Sequence, residues 1–240
     1  MTAVSTSTGH PGGHVRQTVA VSDRPPPFPL WLRTLLCLTA SAICFALLVA
    51  VAYNIRGGGG ALWLDREIAE RVHPHVGPRR TKLALTLTQI GSPMFIVPAT
   101  LSAALIIAVA RRSIWTGIVV TATVGLVGIG STVGKQIITA AHPPPGSPIQ
   151  VALAHTFPSG HVSATVSFLG IVAIAFGAKP RHVLVWLGIA AVTAVVAATR
   201  IYLGVHWFSD TVGGVFLGCS AVFAGAALLP HPDRRRPHPP

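Results

Sequence analysis

Acidic side chains are scarce in this chain. Six Asp and Glu stand among 240 residues, against 18 Lys and Arg. Charged residues of either sign make up 10% of the sequence, where a soluble domain carries roughly 25%. So little charge cannot cover the surface of a water-soluble globule of this size. Cysteine is also sparse. Cys37, Cys44 and Cys219 cannot all pair, and each lies in an apolar run. That excludes a disulfide scaffold and reads as small buried hydrophobes. No apolar run lies close to Met1, so no cleaved signal peptide is expected, and the first apolar span is expected to act as an uncleaved anchor.

What fills the chain is apolar: 51% of residues are hydrophobic, and the mean hydropathy is +0.63. This composition excludes a disordered chain and a coiled coil and points to a polytopic membrane protein. The net charge of +12 does not point to nucleic acid as a partner. Its Lys and Arg are scattered between apolar runs, whereas counterion-release binding needs them gathered on one solvated face.

Residues 1–30 are rich in Ser, Thr, Gly, Pro and His and close on Pro25-Pro26-Pro27. They read as a disordered tail. Residues 231–240 form a basic, Pro-rich tail, which leaves one membrane domain over 31–230. Charged residues bracket its apolar runs, and a span needs ~20 apolar residues. This predicts an all-α fold of six transmembrane helices near 32–53, 93–110, 114–133, 162–178, 183–199 and 210–229. Trp31, Trp115 and Trp207 fall at span ends, where amphipathic rings prefer the interface. The short basic turns at 111–112 and 179–181 put both termini in the cytoplasm. Between the first two spans, Leu64, Ile68 and Val72 recur among Asp65, Glu67, Glu70 and Arg71. That pattern predicts a helix lying in the interface plane.

Under this topology Lys135, His142, Ser159, His161, Arg200, His206 and Asp210 all sit at span ends on the outer face. Snorkelling accounts for any one of them. It does not account for two basic residues, several histidines and one acid on one side, opposite plain Arg and Lys anchors. His206 and Asp210 lie one helical turn apart. A carboxylate on one imidazole nitrogen fixes the tautomer and leaves the other nitrogen basic, as a nucleophile or general base requires. A polar pair capping the last span is the blander alternative. Arg200 does not share a continuous helical face with His206, but a break at Gly204 lets the two meet across a turn. Phe157-Pro158-Ser159-Gly160-His161 opens the fourth span with backbone N–H groups suited to an anion, unless Ser159 is an ordinary helix cap. Lys135 and His142 share a face if their helix runs that far, with Pro143-Pro144-Pro145 ending it.

Taken together, Lys135-x6-His142-Pro143, Pro158-Ser159-Gly160-His161 and Arg200-x5-His206-x3-Asp210 resemble the three signature motifs of the type 2 phosphatidic acid phosphatase (PAP2) family. That family also includes vanadium haloperoxidases and bacterial nonspecific acid phosphatases. The resemblance covers about 62–218 and is nearest to the membrane-integrated lipid phosphatases. Two positions depart from the pattern: His142 stands where the family has Arg, and Thr199 where it usually has Ser.

The resemblance implies a metal-independent phosphatase with no cofactor. His206 would attack phosphorus, Asp210 would hold its ring, and His161 would act as acid and then base. Lys135, Ser159, Gly160 and Arg200 would bind the phosphate, with His142 as a weaker contact. The implied substrate is a lipid phosphate or diphosphate of the prenyl, phosphatidate or phosphatidylglycerophosphate type, met at the extracytoplasmic face of the plasma membrane. Membrane lipids are then the other partners, nucleic acid is not one, and the oligomeric state is left open. The alternatives are a non-catalytic lipid-phosphate binder or flippase, and a metal-dependent membrane hydrolase using His142, His155, His161, His206 and Asp210 as ligands.

Overall fold

The computed structural model describes residues 29–57, 62–138, 140 and 155–230, and every regular element among them is helical. In chain order these are α1 (Leu30–Gly57), α2 (Trp63–Val72), α3 (Pro78–Thr88), α4 (Pro93–Arg111), α5 (Ile114–Ile137), α6 (Gly160–Ala175), α7 (Val183–Tyr202) and α8 (Phe208–Leu228). Single 3₁₀ turns follow α2 and α3. Local chemistry sets several ends. Pro93 sits in the first turn of α4, where its missing N–H costs nothing. The Ser113 hydroxyl accepts the Thr116 N–H to cap α5.

Among the described residues, five helical stretches are long and apolar enough to cross a membrane: α1, α3 with α4, α5, α7 and α8. The chain is an integral membrane protein. The sixth expected span is α6, which has 16 residues. At 1.5 Å per residue it reaches about 24 Å, short of the ~30 Å hydrocarbon core. Its length is cut at one end because the preceding loop is drawn into the bundle. Gly134 of α5 faces Pro158 so closely that a Cβ there would lie 2.6 Å from Pro158 Cδ. Gly213 meets the Phe157 ring, and a Cβ at Gly214 would lie 2.7 Å from the Ser159 carbonyl. Further along, Gly218 meets Val166 and Gly170 meets Val222. This small-residue seam brings the α6 and α8 backbones together, as membrane helices without a hydrophobic driving force require.

Two apolar clusters complete the bundle. Ile96, Ile107, Val120, Val124 and Ile171 join α4, α5 and α6. Leu48, Ala52 and Ile55 of α1 pack with Ile138 and Phe157. The bundle has two chemically distinct ends. At one, the Arg33 guanidinium donates to the Ala226 carbonyl at 2.9 Å and Trp115 donates to the Leu228 carbonyl at 3.0 Å. At the other, the end of α5 lies against the loop that opens α6, the α7–α8 reversal packs beside it, and α2 and α3 pack on α7.

Three local expectations need correction. Trp31 and Trp115 are exposed at span ends, but Trp207 is buried against Ala69 and does not lie at an interface. On α2 the face turned into the protein is Asp65 and Ala69, while Leu64 lies on the exposed side. The carboxylate is drawn inward by donors on α8 that an apolar side chain could not satisfy. Finally, α5 stops at Ile137 and does not continue toward His142. Ile138 turns away to bury its side chain beside Phe157 and Ile55.

Candidate active site

The end of α7 and the start of α8 are joined by a tight reversal. Gly204 adopts φ +65°, which a side chain would disfavour. The Val205 N–H donates back to the Arg200 carbonyl at 3.3 Å. The break expected at Gly204 is therefore present, and it carries the chain from Arg200 to His206. Arg200 Nη1 donates to the Thr88 hydroxyl at 3.2 Å. Its Nε is buried with no hydrogen-bond partner among the described residues. Tyr202 steadies the same corner by accepting the Gly77 N–H at 3.0 Å.

His206 and Asp210 are both buried, and His206 Nδ1 lies 3.3 Å from Asp210 Oδ2. The same oxygen accepts the Trp207 N–H at 2.9 Å, closing the first turn of α8. Asp210 thus has two tasks: it caps the helix dipole and it faces the imidazole. With Nδ1 donating to this carboxylate, Nε2 keeps its lone pair. Burial lowers the His206 pKa below the ordinary histidine range, and the adjacent Asp210 offsets part of that.

The Pro158-Ser159-Gly160-His161 loop is bound to this turn directly. The Ser159 N–H donates to the Asp210 carbonyl at 2.9 Å. This N–H is therefore not free for an anion. The N–H groups that begin α6 at Gly160 have no helical acceptor of their own. Ser159 does not cap α6 through its side chain; its hydroxyl is buried and unpartnered among the described residues. From α5, Ser131 donates to the Pro158 carbonyl at 3.3 Å. A side chain at Gly160 would come 3.6 Å from Lys135 Nζ, so glycine keeps space between the ammonium and the loop.

Lys135, Gly160, His161, Arg200 and His206 line one mouth of a single cavity of about 790 Å³. Ser159 and Asp210 stand directly behind them. Away from this mouth the cavity runs between α4 and α5 along Ile96, Val97, Leu101, Val124 and Ile129. Gly125 and Gly128 open its wall on α5, with nothing within 4 Å of the position a Cβ would take. A cluster of fixed cations and histidines thus opens into an apolar groove.

Seven of the eight residues expected at the site converge here. The eighth, His142, lies outside the described residues. Sequence reasoning did not find Thr88, Ser131, Asp65 or Ser209. Thr88 and Ser131 look like ordinary small polar residues of apolar helices. Asp65 and Ser209 are 144 positions apart, and no local pattern ties them together.

A sequence model of the PAP2 superfamily matches residues 83–232. The fold is similar to the crystal structure of a transmembrane PAP2-type phosphatidylglycerolphosphate phosphatase from Bacillus subtilis. The TM-score is 0.67 at 20% identity, with 78% of this chain and 94% of that chain covered. No curated protein matches the sequence.

Proposed function

The chain belongs to the PAP2 superfamily and is a membrane-integral phosphoric ester hydrolase, and from that premise we propose that it dephosphorylates a lipid phosphate or diphosphate through a phosphohistidine intermediate. His206 Nε2 attacks phosphorus, so that a P–N bond forms as the P–O bond to the lipid breaks. His161 gives its proton to the departing lipid oxygen. It then takes a proton from water as that water attacks phosphorus and releases His206. Lys135, Arg200 and the Gly160 N–H hold the equatorial oxygens while charge builds on them, and the buried Ser159 hydroxyl supports them from behind the cavity wall. Fixed cations then supply the positive charge that a divalent ion supplies in other phosphoryl transfers.

One observation carries the lipid assignment: the cavity joins this polar mouth to an apolar groove between α4 and α5. A lipid phosphate has the same division, with a charged head and a hydrocarbon tail. Prenyl phosphates and diphosphates, phosphatidate and phosphatidylglycerophosphate all fit this description. The domain reading is a phosphatase over 31–230 flanked by two cytoplasmic tails. The site faces away from the cytoplasm of the plasma membrane. Arg33 and the basic turns near 111–112 and 179–181, at the opposite end of the bundle, support that orientation.

A non-catalytic lipid-phosphate binder needs the cations but not a carboxylate behind His206, so Asp210 favours catalysis. A metal-dependent hydrolase needs clustered ligands. Lys135 and Arg200 line the same mouth as His161 and His206 and would repel a metal cation there.

The deciding experiment measures phosphate release from a panel of lipid phosphates and one soluble aryl phosphate, using purified protein in detergent. Release is expected with at least one lipid, is abolished by His206→Ala, and is unaffected by EDTA. Near-normal turnover in His206→Ala would end the phosphohistidine reading. Loss on chelation that is restored by Zn²⁺ or Mg²⁺ would put the metal-dependent hydrolase in its place.

A further inference from the structure

The mechanism above leaves one buried acid unused. Asp65 belongs to α2, outside the spanning helices, and its side chain is 1% exposed. Its carboxylate accepts three hydrogen bonds. Two come from one residue of α8: the Ser209 N–H donates to Oδ1 at 2.7 Å and the Ser209 hydroxyl donates to Oδ2 at 2.7 Å. The third comes from the Leu62 N–H at 2.8 Å, which closes the start of α2. Asp65 has no cation within salt-bridge distance among the described residues. Its charge is instead met by donors at the positive end of the α8 dipole.

The position of these contacts is informative. Ser209 lies between His206 and Asp210. Ala69, one turn beyond Asp65, packs on Trp207. Helix α2 therefore holds residues 207 and 209, which lie between the proposed nucleophile His206 and its partner Asp210. Asp210 fixes this turn from within through the Trp207 N–H. Asp65 fixes it from outside, at both the backbone and the side chain of Ser209.

We infer that Asp65 is a positioning residue for the reaction at His206, acting through Ser209 to hold the first turn of α8 at the angle that aims the imidazole into the cavity. This rests on the reading of His206 as the nucleophile. The carboxylate is suited to the task because both its oxygens only accept. In Asp65→Asn one oxygen becomes an NH₂ group. Whichever way that amide turns, an NH₂ faces either the Ser209 N–H or the Leu62 N–H, and one main-chain donor loses its acceptor. Facing Ser209, the NH₂ releases the first turn of α8; facing Leu62, it releases the start of α2, the element that carries the carboxyl group.

The test compares wild type, Asp65→Asn and Ser209→Ala in detergent, with kcat, KM, orthovanadate inhibition and thermal unfolding measured on each. Vanadate is the probe because its five-coordinate form imitates the phosphorus at attack. For Asp65→Asn, kcat should fall ~10- to 100-fold, the cost of misplacing a reacting group by up to about 1 Å. KM should stay within about twofold, and vanadate affinity should weaken by the same factor as kcat. Ser209→Ala keeps the main-chain bond and should lose less. A purely structural Asp65 would lower the folded fraction and the unfolding temperature, with vanadate affinity per folded molecule unchanged; that outcome overturns the inference. So does unchanged kcat in Asp65→Asn. If His206→Ala remains active, the fault lies in the assigned nucleophile; if His206→Ala is dead and Asp65→Asn is normal, only the role of Asp65 fails.

Discussion

At the scale of single residues, His206 is subject to two opposing effects. Burial disfavours its charged form, and the carboxylate 3.3 Å away favours it. Burial prevails, so the ring stays neutral to lower pH than a free histidine. A nucleophile must be neutral to attack. The acid limb of kcat/KM assigned to His206 should therefore lie below the ordinary value of ~6.5. Asp210→Asn removes the group that raises this pKa, so the limb should move further down. The same substitution should cut kcat by ~10³–10⁴-fold, because the ring loses the partner that sets its tautomer. A pH–rate profile of both proteins checks the signs: a wild-type limb above ~6.5, or an upward move in Asp210→Asn, contradicts the argument.

At the scale of elements, α5 is the helix that divides head from tail. Its last turn presents Lys135 to the polar mouth, and its middle presents Gly125 and Gly128 to the apolar groove. The empty space beside Gly128 defines a test. In Gly128→Phe the ring occupies the path proposed for the lipid chain. Forcing a chain past it should cost ~1–3 kcal/mol, as overpacking does elsewhere. KM for a long-chain lipid phosphate should rise about tenfold, while a soluble aryl phosphate that needs no groove should be turned over as before. Equal losses on both substrates would mean that α5 had been disturbed as a whole. No loss on either would place the chain elsewhere.

For the whole molecule, the two ends of the bundle differ in chemistry, and that difference sets the expected orientation. The segment after α5 leaves from the end that carries the site. The turn after α6, where Gly177 adopts φ +97° beside Arg111, leaves from the other. Cysteines introduced as Gly146→Cys or Ser147→Cys should react with an impermeant thiol reagent on intact cells, and Ala178→Cys should not. The reverse pattern would invert the topology and imply a cytoplasmic pool of substrate.

The sequence by itself determined that this is an all-helical membrane protein, where most of its spans lie, and that seven of the eight expected site residues share one end. Those features follow from hydropathy, from helical periodicity and from polar residues too costly to leave unpaired in an apolar chain. Gly204 and the one-turn spacing of His206 and Asp210 were legible because they are local. Only the tertiary structure decided the rest. The 16-residue length of α6 depends on how far Pro158 and Ser159 sink between Gly134 and Gly214, and those residues belong to different helices. The end of α5 at Ile137 depends on burial of Ile138 against α1. Trp207 and Asp65 read as interfacial residues because their neighbours in sequence are interfacial. Both are buried because α2 folds onto α8, and the hydrogen bonds that drive this join positions 144 residues apart. Spacing along a chain reports what one helix can align, and it carries no record of which helix will lie beside it.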